Sequence, residues 1–70
     1  MKNIERFNLS RSQWETLIDE WIFKEHYRAI MKDRLLNGLT YEELAEKHFV
    51  SPRYIKSVVY KCTEKLIKHI

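Results

Sequence analysis

The residues best suited to contacting another molecule lie at the start of the last predicted helix of this chain. They carry hydroxyl or cationic groups, and no acid precedes Glu64 in that helix. Arginine can donate a bidentate pair of hydrogen bonds to guanine, lysine neutralises phosphate, and serine and tyrosine can bond phosphate or base edges. The candidate DNA-binding residues are Ser51, Arg53, Tyr54, Lys56, Ser57, Tyr60 and Lys61.

Helical periodicity separates these polar candidates from the apolar residues around them. With each residue advancing the helix by about 100°, three apolar residues fall within about 40° of Ile55, namely Val59, Cys62 and Leu66. Three of the polar candidates fall on the opposite side, namely Arg53, Ser57 and Tyr60. Cys62 is therefore predicted to be a small core residue, since burial raises the pKa of a thiol and makes it inert.

Two capping signals predict the helices that position this face. Thr40 followed by Glu43 forms a capping box, in which each side chain accepts a hydrogen bond from the other residue's backbone N–H. Ser51 is a second N-cap, with Pro52 at the first helical position, where a missing N–H has no cost. A helix, a short turn and a capped basic helix together predict a helix-turn-helix, whose second helix fits a DNA major groove.

Residues 38–66 resemble the DNA-binding region 4 of bacterial sigma-70 family factors. Gly38 to Glu46 is similar to the family's Gly-Leu-Ser-Tyr-Glu-Glu-Ile-Ala-Glu stretch, Val50-Ser51 looks like the end of its turn, and Ile55-Lys56-Ser57 looks like its apolar-Lys-Ser triplet. The resemblance implies a bacterial or phage transcription regulator, contact with RNA polymerase, and promoter −35 contacts by Arg53, Lys56 and Ser57. A region 2 is missing here, so we expect a small regulator or a partial sigma-like subunit.

The turn departs from the family at two positions. Phe49 stands where glycine is usual, and a bulky residue at positive φ is strained, so we expect negative φ and a ring packed beside Val50 and Ile55. His48 stands where the general pattern has an apolar core residue. Either His48 is buried with a hydrogen-bond partner, or the turn is shifted.

Two supporting helices are predicted before the helix-turn-helix. Ser10 and Gln13 form another capping box, and an apolar stripe follows it with helical spacing, formed by Trp14, Leu17, Ile18, Trp21 and Ile22. Predicted helices cover about 10–22 and 24–37, and Gly38 is expected to end the second helix in a left-handed conformation. The helix-turn-helix covers about 40–68. With no alternating strand pattern, residues 1–70 are predicted to form one all-α, four-helix (tetrahelical) helix-turn-helix domain.

Composition narrows the function classes. The 70 residues are 44% hydrophobic and carry a formal net charge of +3, which favours one folded domain. A single cysteine excludes an internal disulfide and suits a reducing compartment. The sequence also contains no apolar run of membrane-spanning length and no signal peptide. Together these features favour a cytoplasmic protein. His26, His48 and His69 are too far apart in sequence for zinc-ligand spacing, so we predict no metal, no cofactor and no enzyme activity.

Charge distribution leaves two other interpretations open. From Ser51 to Ile70 five basic residues accompany one acid, whereas Glu15 to Glu25 holds four acids and one lysine. The acidic first helix could be the surface of a protein-interaction module that docks on RNA polymerase or a sigma factor. Alternatively, Ile67 and Ile70 could join a partner helix in a homodimer that reads a palindrome.

Overall fold

The computed structural model describes residues 9–69, which form four α-helices and no strand. Helix α1 spans Arg11–Trp21, α2 spans Glu25–Leu35, α3 spans Tyr41–His48 and α4 spans Pro52–Ile67. The all-α, four-helix prediction is confirmed. None of these helices has both the length and the apolar character needed to cross a membrane.

Side-chain caps begin three of the four helices, as the sequence predicts. The Gln13 and Glu43 backbone N–H groups donate to the Ser10 and Thr40 hydroxyl oxygens over 3.3 and 3.2 Å, and both reciprocal capping-box bonds are 2.8 Å long. The Ser51 hydroxyl accepts from the backbone N–H of Tyr54 over 3.1 Å. Helix α2 begins after Lys24 without a side-chain cap, which explains why its start is the least marked in the sequence.

The core is centred on the buried face of α4, which packs against each of the other three helices. This face contains Ile55, Val59, Cys62 and Leu66, the four residues that periodicity places together. The other helices contribute fully buried residues, including Ile18, Ile30, Met31 and Leu44. Burial raises the pKa of the Cys62 thiol despite the opposing effect of Lys65 and Lys61, in agreement with an inert core cysteine.

Two arginines hold the segment that joins α2 to α3. The Arg11 guanidinium donates to the Leu36 carbonyl over 2.9 Å and to the Asn37 side-chain oxygen over 3.2 Å. Arg34 donates to the Leu39 carbonyl over 2.8 Å and lies over the ring of Tyr41. Gly38 has a φ of +69°, the left-handed conformation predicted for it. It lies two residues after the helix cap at Leu36, so the helix ends slightly earlier than predicted.

The turn between α3 and α4 contradicts the sequence-based expectation for Phe49. Its φ is +58° and its side chain is 94% exposed, so it is left-handed and its ring does not pack on the core. The Phe49 N–H donates to the Glu46 carbonyl over 3.4 Å and the Val50 N–H to the Ala45 carbonyl over 3.0 Å. This is a Schellman motif, which satisfies the last carbonyls of α3 only when the residue after the helix is left-handed.

Replacing Phe49 separates backbone strain from side-chain packing. Neither Phe49→Gly nor Phe49→Ala keeps the ring, but only glycine adopts positive φ without a Cβ penalty. We expect Phe49→Gly to be more stable than Phe49→Ala by about 1 kcal/mol and at least as stable as the parent. Urea unfolding of the three proteins gives the comparison, and a glycine variant that is less stable than the alanine variant would contradict the left-handed turn.

Candidate nucleic-acid interface

All seven residues predicted to bind DNA are exposed on α4 or at its cap. Arg53, Lys56 and Lys61 carry cationic groups there, and Tyr54 and Tyr60 carry phenol rings. Ser51 uses its hydroxyl oxygen to cap the helix, which leaves its O–H free to donate. The apolar and polar faces therefore separate as the periodicity predicts.

The cations of this face have no acidic partner among residues 9–69. The ion pairs formed there by Asp and Glu involve Lys32, Lys47 and His48, and none of these three belongs to α4. Arg53, Lys56 and Lys61 thus keep their charge available to an external anion. Because the first turn of α4 also contains no acid, the positive end of the helix dipole adds to the same field.

Tyr54 differs from the other candidates because its ring lies against α2. Its side chain is 38% exposed, and its ring lies 6.0 Å from that of His26 in a stacked arrangement. Partial burial, together with nearby Tyr27, raises the pKa of the Tyr54 phenol above its usual value. The hydroxyl therefore stays protonated at neutral pH and remains a donor, while the ring helps to fix the start of α4 against α2.

A polar network centred on Asp33 of α2 holds the end of α3 in place. The Asp33 carboxylate accepts from Lys47 Nζ at 3.0 and 3.1 Å, from His48 Nε2 at 3.0 Å and from the Asn37 amide at 3.1 Å. Its backbone carbonyl also accepts from the Leu39 N–H over 3.2 Å. One carboxylate therefore joins α2, the following loop and the last turn of α3.

This network resolves the alternatives for His48. The imidazole is largely buried, with 14% of its side chain exposed, and it pairs with Asp33 rather than being displaced by a shifted turn. Since a carboxylate accepts hydrogen bonds, Nε2 carries the proton. Burial raises the pKa of Asp33, but the hydrogen bonds from Lys47, His48 and Asn37 lower it more, so the carboxyl is more acidic than usual.

No local pattern in the sequence marks Asp33 or Lys47 as structural residues. A polar His48 at a core position indicates a need for a partner, but the sequence does not distinguish among the acids that could serve. The partner lies 15 residues away in a different helix. Only the packing of α2 against α3 brings the two side chains together.

The structure also describes most of the residues on which the two other interpretations depend. Glu15, Asp19, Glu20 and Glu25 are exposed, and Asp19 pairs with Lys32 at 2.8 Å. Ile67 is half-buried, and Ile70 lies outside the described residues. Among residues 9–69, no group of three His, Cys, Asp or Glu side chains is arranged to hold a metal ion.

Comparisons with known proteins do not assign the chain to a family. No protein-family model, curated protein or solved structure matches it. The resemblance of residues 38–66 to sigma region 4 therefore stays a prediction. The features that bear on function are the exposed face of α4, its charge and the turn before it.

Removing the Asp33 charge tests the network. Asp33→Asn should lower the free energy of unfolding by about 2 kcal/mol at pH 7, because Lys47 loses its anionic partner and His48 loses a charged hydrogen-bond acceptor. The folded pKa of Asp33 is depressed, so its contribution is present above the usual aspartate pKa of about 3.9 and is lost as pH falls through the folded value. Urea unfolding at a series of pH values below 7 should show the difference between the two proteins shrinking only below the usual aspartate pKa of about 3.9.

The matched control for this prediction is Asp19→Asn. Asp19 and Lys32 form an exposed ion pair, so its removal should change the free energy of unfolding by no more than about 1 kcal/mol. Equal effects of Asp33→Asn and Asp19→Asn at pH 7 would show that the buried network has no special role.

Proposed function

We propose that this domain binds double-stranded DNA sequence-specifically and regulates transcription in the manner of sigma factor region 4. The single observation that carries the proposal is the exposed surface of residues 51–61, called here the outer face of α4, where seven exposed polar or cationic side chains precede the first acid of the helix, Glu64. The N-terminal half of α4 would enter the major groove. An α-helix has the right width for that groove, and α4 is about 24 Å long at 1.5 Å per residue.

The turn and the polar network give this helix a fixed direction. The Schellman motif at Phe49 ends α3, Ser51 caps α4 two residues later, and Val50 packs against the core between them. Asp33 holds the last turn of α3 through Lys47 and His48. A rigid scaffold of this kind favours base recognition, because side chains must meet base edges within tenths of an ångström.

The position of each candidate residue along α4 determines which part of the DNA it would contact. Arg53 lies in the first turn of α4 and would read a base edge, since a guanidinium can bind guanine O6 and N7 together. Lys61 lies two turns further along and would neutralise phosphate on the groove wall. Lys56 and Ser57 lie between them, and Ser51, Tyr54 and Tyr60 would donate hydrogen bonds to phosphate or base edges.

A second candidate function is a protein-interaction module that docks on RNA polymerase or a sigma factor. The observation that favours it is the acidic surface of α1, where Glu15 and Glu20 are exposed and form no ion pair within residues 9–69. The two functions are compatible, because the acidic and basic surfaces are formed by different helices. The setting we propose is the cytoplasm of a bacterium, with the gene in the host or its phage.

Salt dependence tests the DNA proposal. Each neutralised phosphate releases counterions and contributes about −0.9 to the slope of log affinity against log salt. With three to five phosphate contacts we expect a slope of about −3 to −4.5 per protomer, measured by fluorescence anisotropy on duplexes selected from a random pool. A flat salt response, or no binding near about 50 mM salt, would contradict DNA binding.

Two alanine substitutions should have different effects on specificity. Arg53→Ala should weaken binding to the selected site by about 1–3 kcal/mol and relax the preference at one base pair, whereas Lys61→Ala should weaken all duplexes about equally. Lys68→Ala is the matched control, because Lys68 is exposed at the far end of α4 and should change little. Unchanged selectivity of Arg53→Ala in competition binding would show that another residue reads the base.

A further inference from the structure

A groove separate from the outer face of α4 lies between the α1–α2 connection and the second half of α4. Its floor is formed by Ile22, Tyr27 and Cys62, and Phe23 forms one wall. Phe23 is 71% exposed although it lies beside the core, so a large apolar ring faces solvent at the groove. The groove has a volume of about 250 Å³ and its lining is mostly apolar.

Three lysines surround this apolar floor, namely Lys24, Lys61 and Lys65. Lys65 Nζ lies 4.3 Å from the centre of the Phe23 ring, and Lys24 Nζ lies 5.1 Å from the centre of the Tyr27 ring. Each of these two ammonium groups therefore lies over an aromatic ring of the groove, within cation–π distance. No acid lines the groove, and none of the three lysines forms an ion pair within the described residues 9–69.

We propose that this groove binds a peptide segment of a partner protein in which an apolar side chain is flanked by aspartate or glutamate. The apolar side chain would fill the floor and cover Phe23, and the flanking carboxylates would meet the lysines at the rim. Charge complementarity selects this occupant, because three uncompensated cations around an apolar site favour an acidic ligand and disfavour a basic one.

The shape and chemistry of the groove argue against two other occupants. A volume of about 250 Å³ lies under the range of roughly 300–1,000 Å³ typical of small-molecule sites, but it accommodates an anchoring side chain. Duplex DNA carries phosphates but no apolar side chain that would fill the floor. It would therefore leave the apolar floor of the groove unfilled beside the Phe23 ring.

This proposal does not rest on DNA binding, although the two surfaces share Lys61. Lys61 belongs to the outer face and also lines the groove. Peptide binding is measured without DNA, so its failure and the failure of DNA binding are separate results. If both occur, an occupied groove would draw Lys61 away from phosphate, and peptide and DNA would weaken each other's binding.

The test is a display selection of random twelve-residue peptides against the full chain, followed by anisotropy measurements with the synthesised winners. We expect winners with an apolar residue flanked by acids, and affinity that falls as salt rises. Replacing the acids of a winner with glutamine should weaken binding about tenfold or more, since charge pairing at the rim is lost.

Matched variants of the protein locate the binding site. Phe23→Ala should weaken peptide binding about tenfold or more, whereas Phe49→Ala removes an even more exposed phenylalanine outside the groove and should leave binding unchanged. Lys65→Glu should weaken it further than Lys68→Glu, which makes the same charge change at the end of α4. Thermal unfolding of each variant confirms that it is folded.

Several outcomes would overturn the proposal. These are a selection that enriches no peptide, winners without acids, winners that bind Phe23→Ala as well as the parent, and a Phe23 dependence of duplex binding without any peptide binding. The last result would assign the groove to nucleic acid instead.

Discussion

The left-handed turn at Phe49 is the constraint on which the rest of the structure depends. Two backbone hydrogen bonds close the end of α3 around it, and only three residues separate the last residue of α3 from the first of α4. The turn therefore sets the direction in which α4 leaves α3. Since α4 supplies the buried face shared by all helices and the polar face proposed to bind DNA, core and interface both follow from this one backbone conformation.

Strain at Phe49 is offset by its surroundings. A left-handed residue with a Cβ costs about 1–2 kcal/mol, and the exposed ring recovers nothing through burial. Val50 and Ile55 pack on the core on the far side of the turn, and the Asp33 network holds Lys47 and His48 just before it. Packing and polar contacts on both sides thus fix a conformation that the residue itself disfavours.

The sequence predicts most of the fold because its signals are local. Ser10, Thr40 and Ser51 each mark a helix start through a bond to a residue three positions later, and the buried side of α4 follows from its period. The expectation for Phe49 was wrong because it weighed the side chain's own preference and not the bonds that close α3. The pairing of Asp33 with Lys47 and His48 could not be predicted, since these two residues lie 14 and 15 positions away in sequence. Periodicity also places Arg53, Ser57 and Tyr60 together on the side opposite the core, but exposure alone does not assign their ligand.

The outer face of α4 is the surface that we propose to bind duplex DNA. The most direct test is a titration of ¹⁵N-labelled protein with a selected duplex, followed through backbone amide chemical shifts. We expect the largest shifts to cluster in residues 51–61, with the N–H groups of the first turn of α4 among them, and α1 to change little. Shifts concentrated on the acidic residues of α1, or no shifts at concentrations that saturate the anisotropy signal, would contradict this proposal.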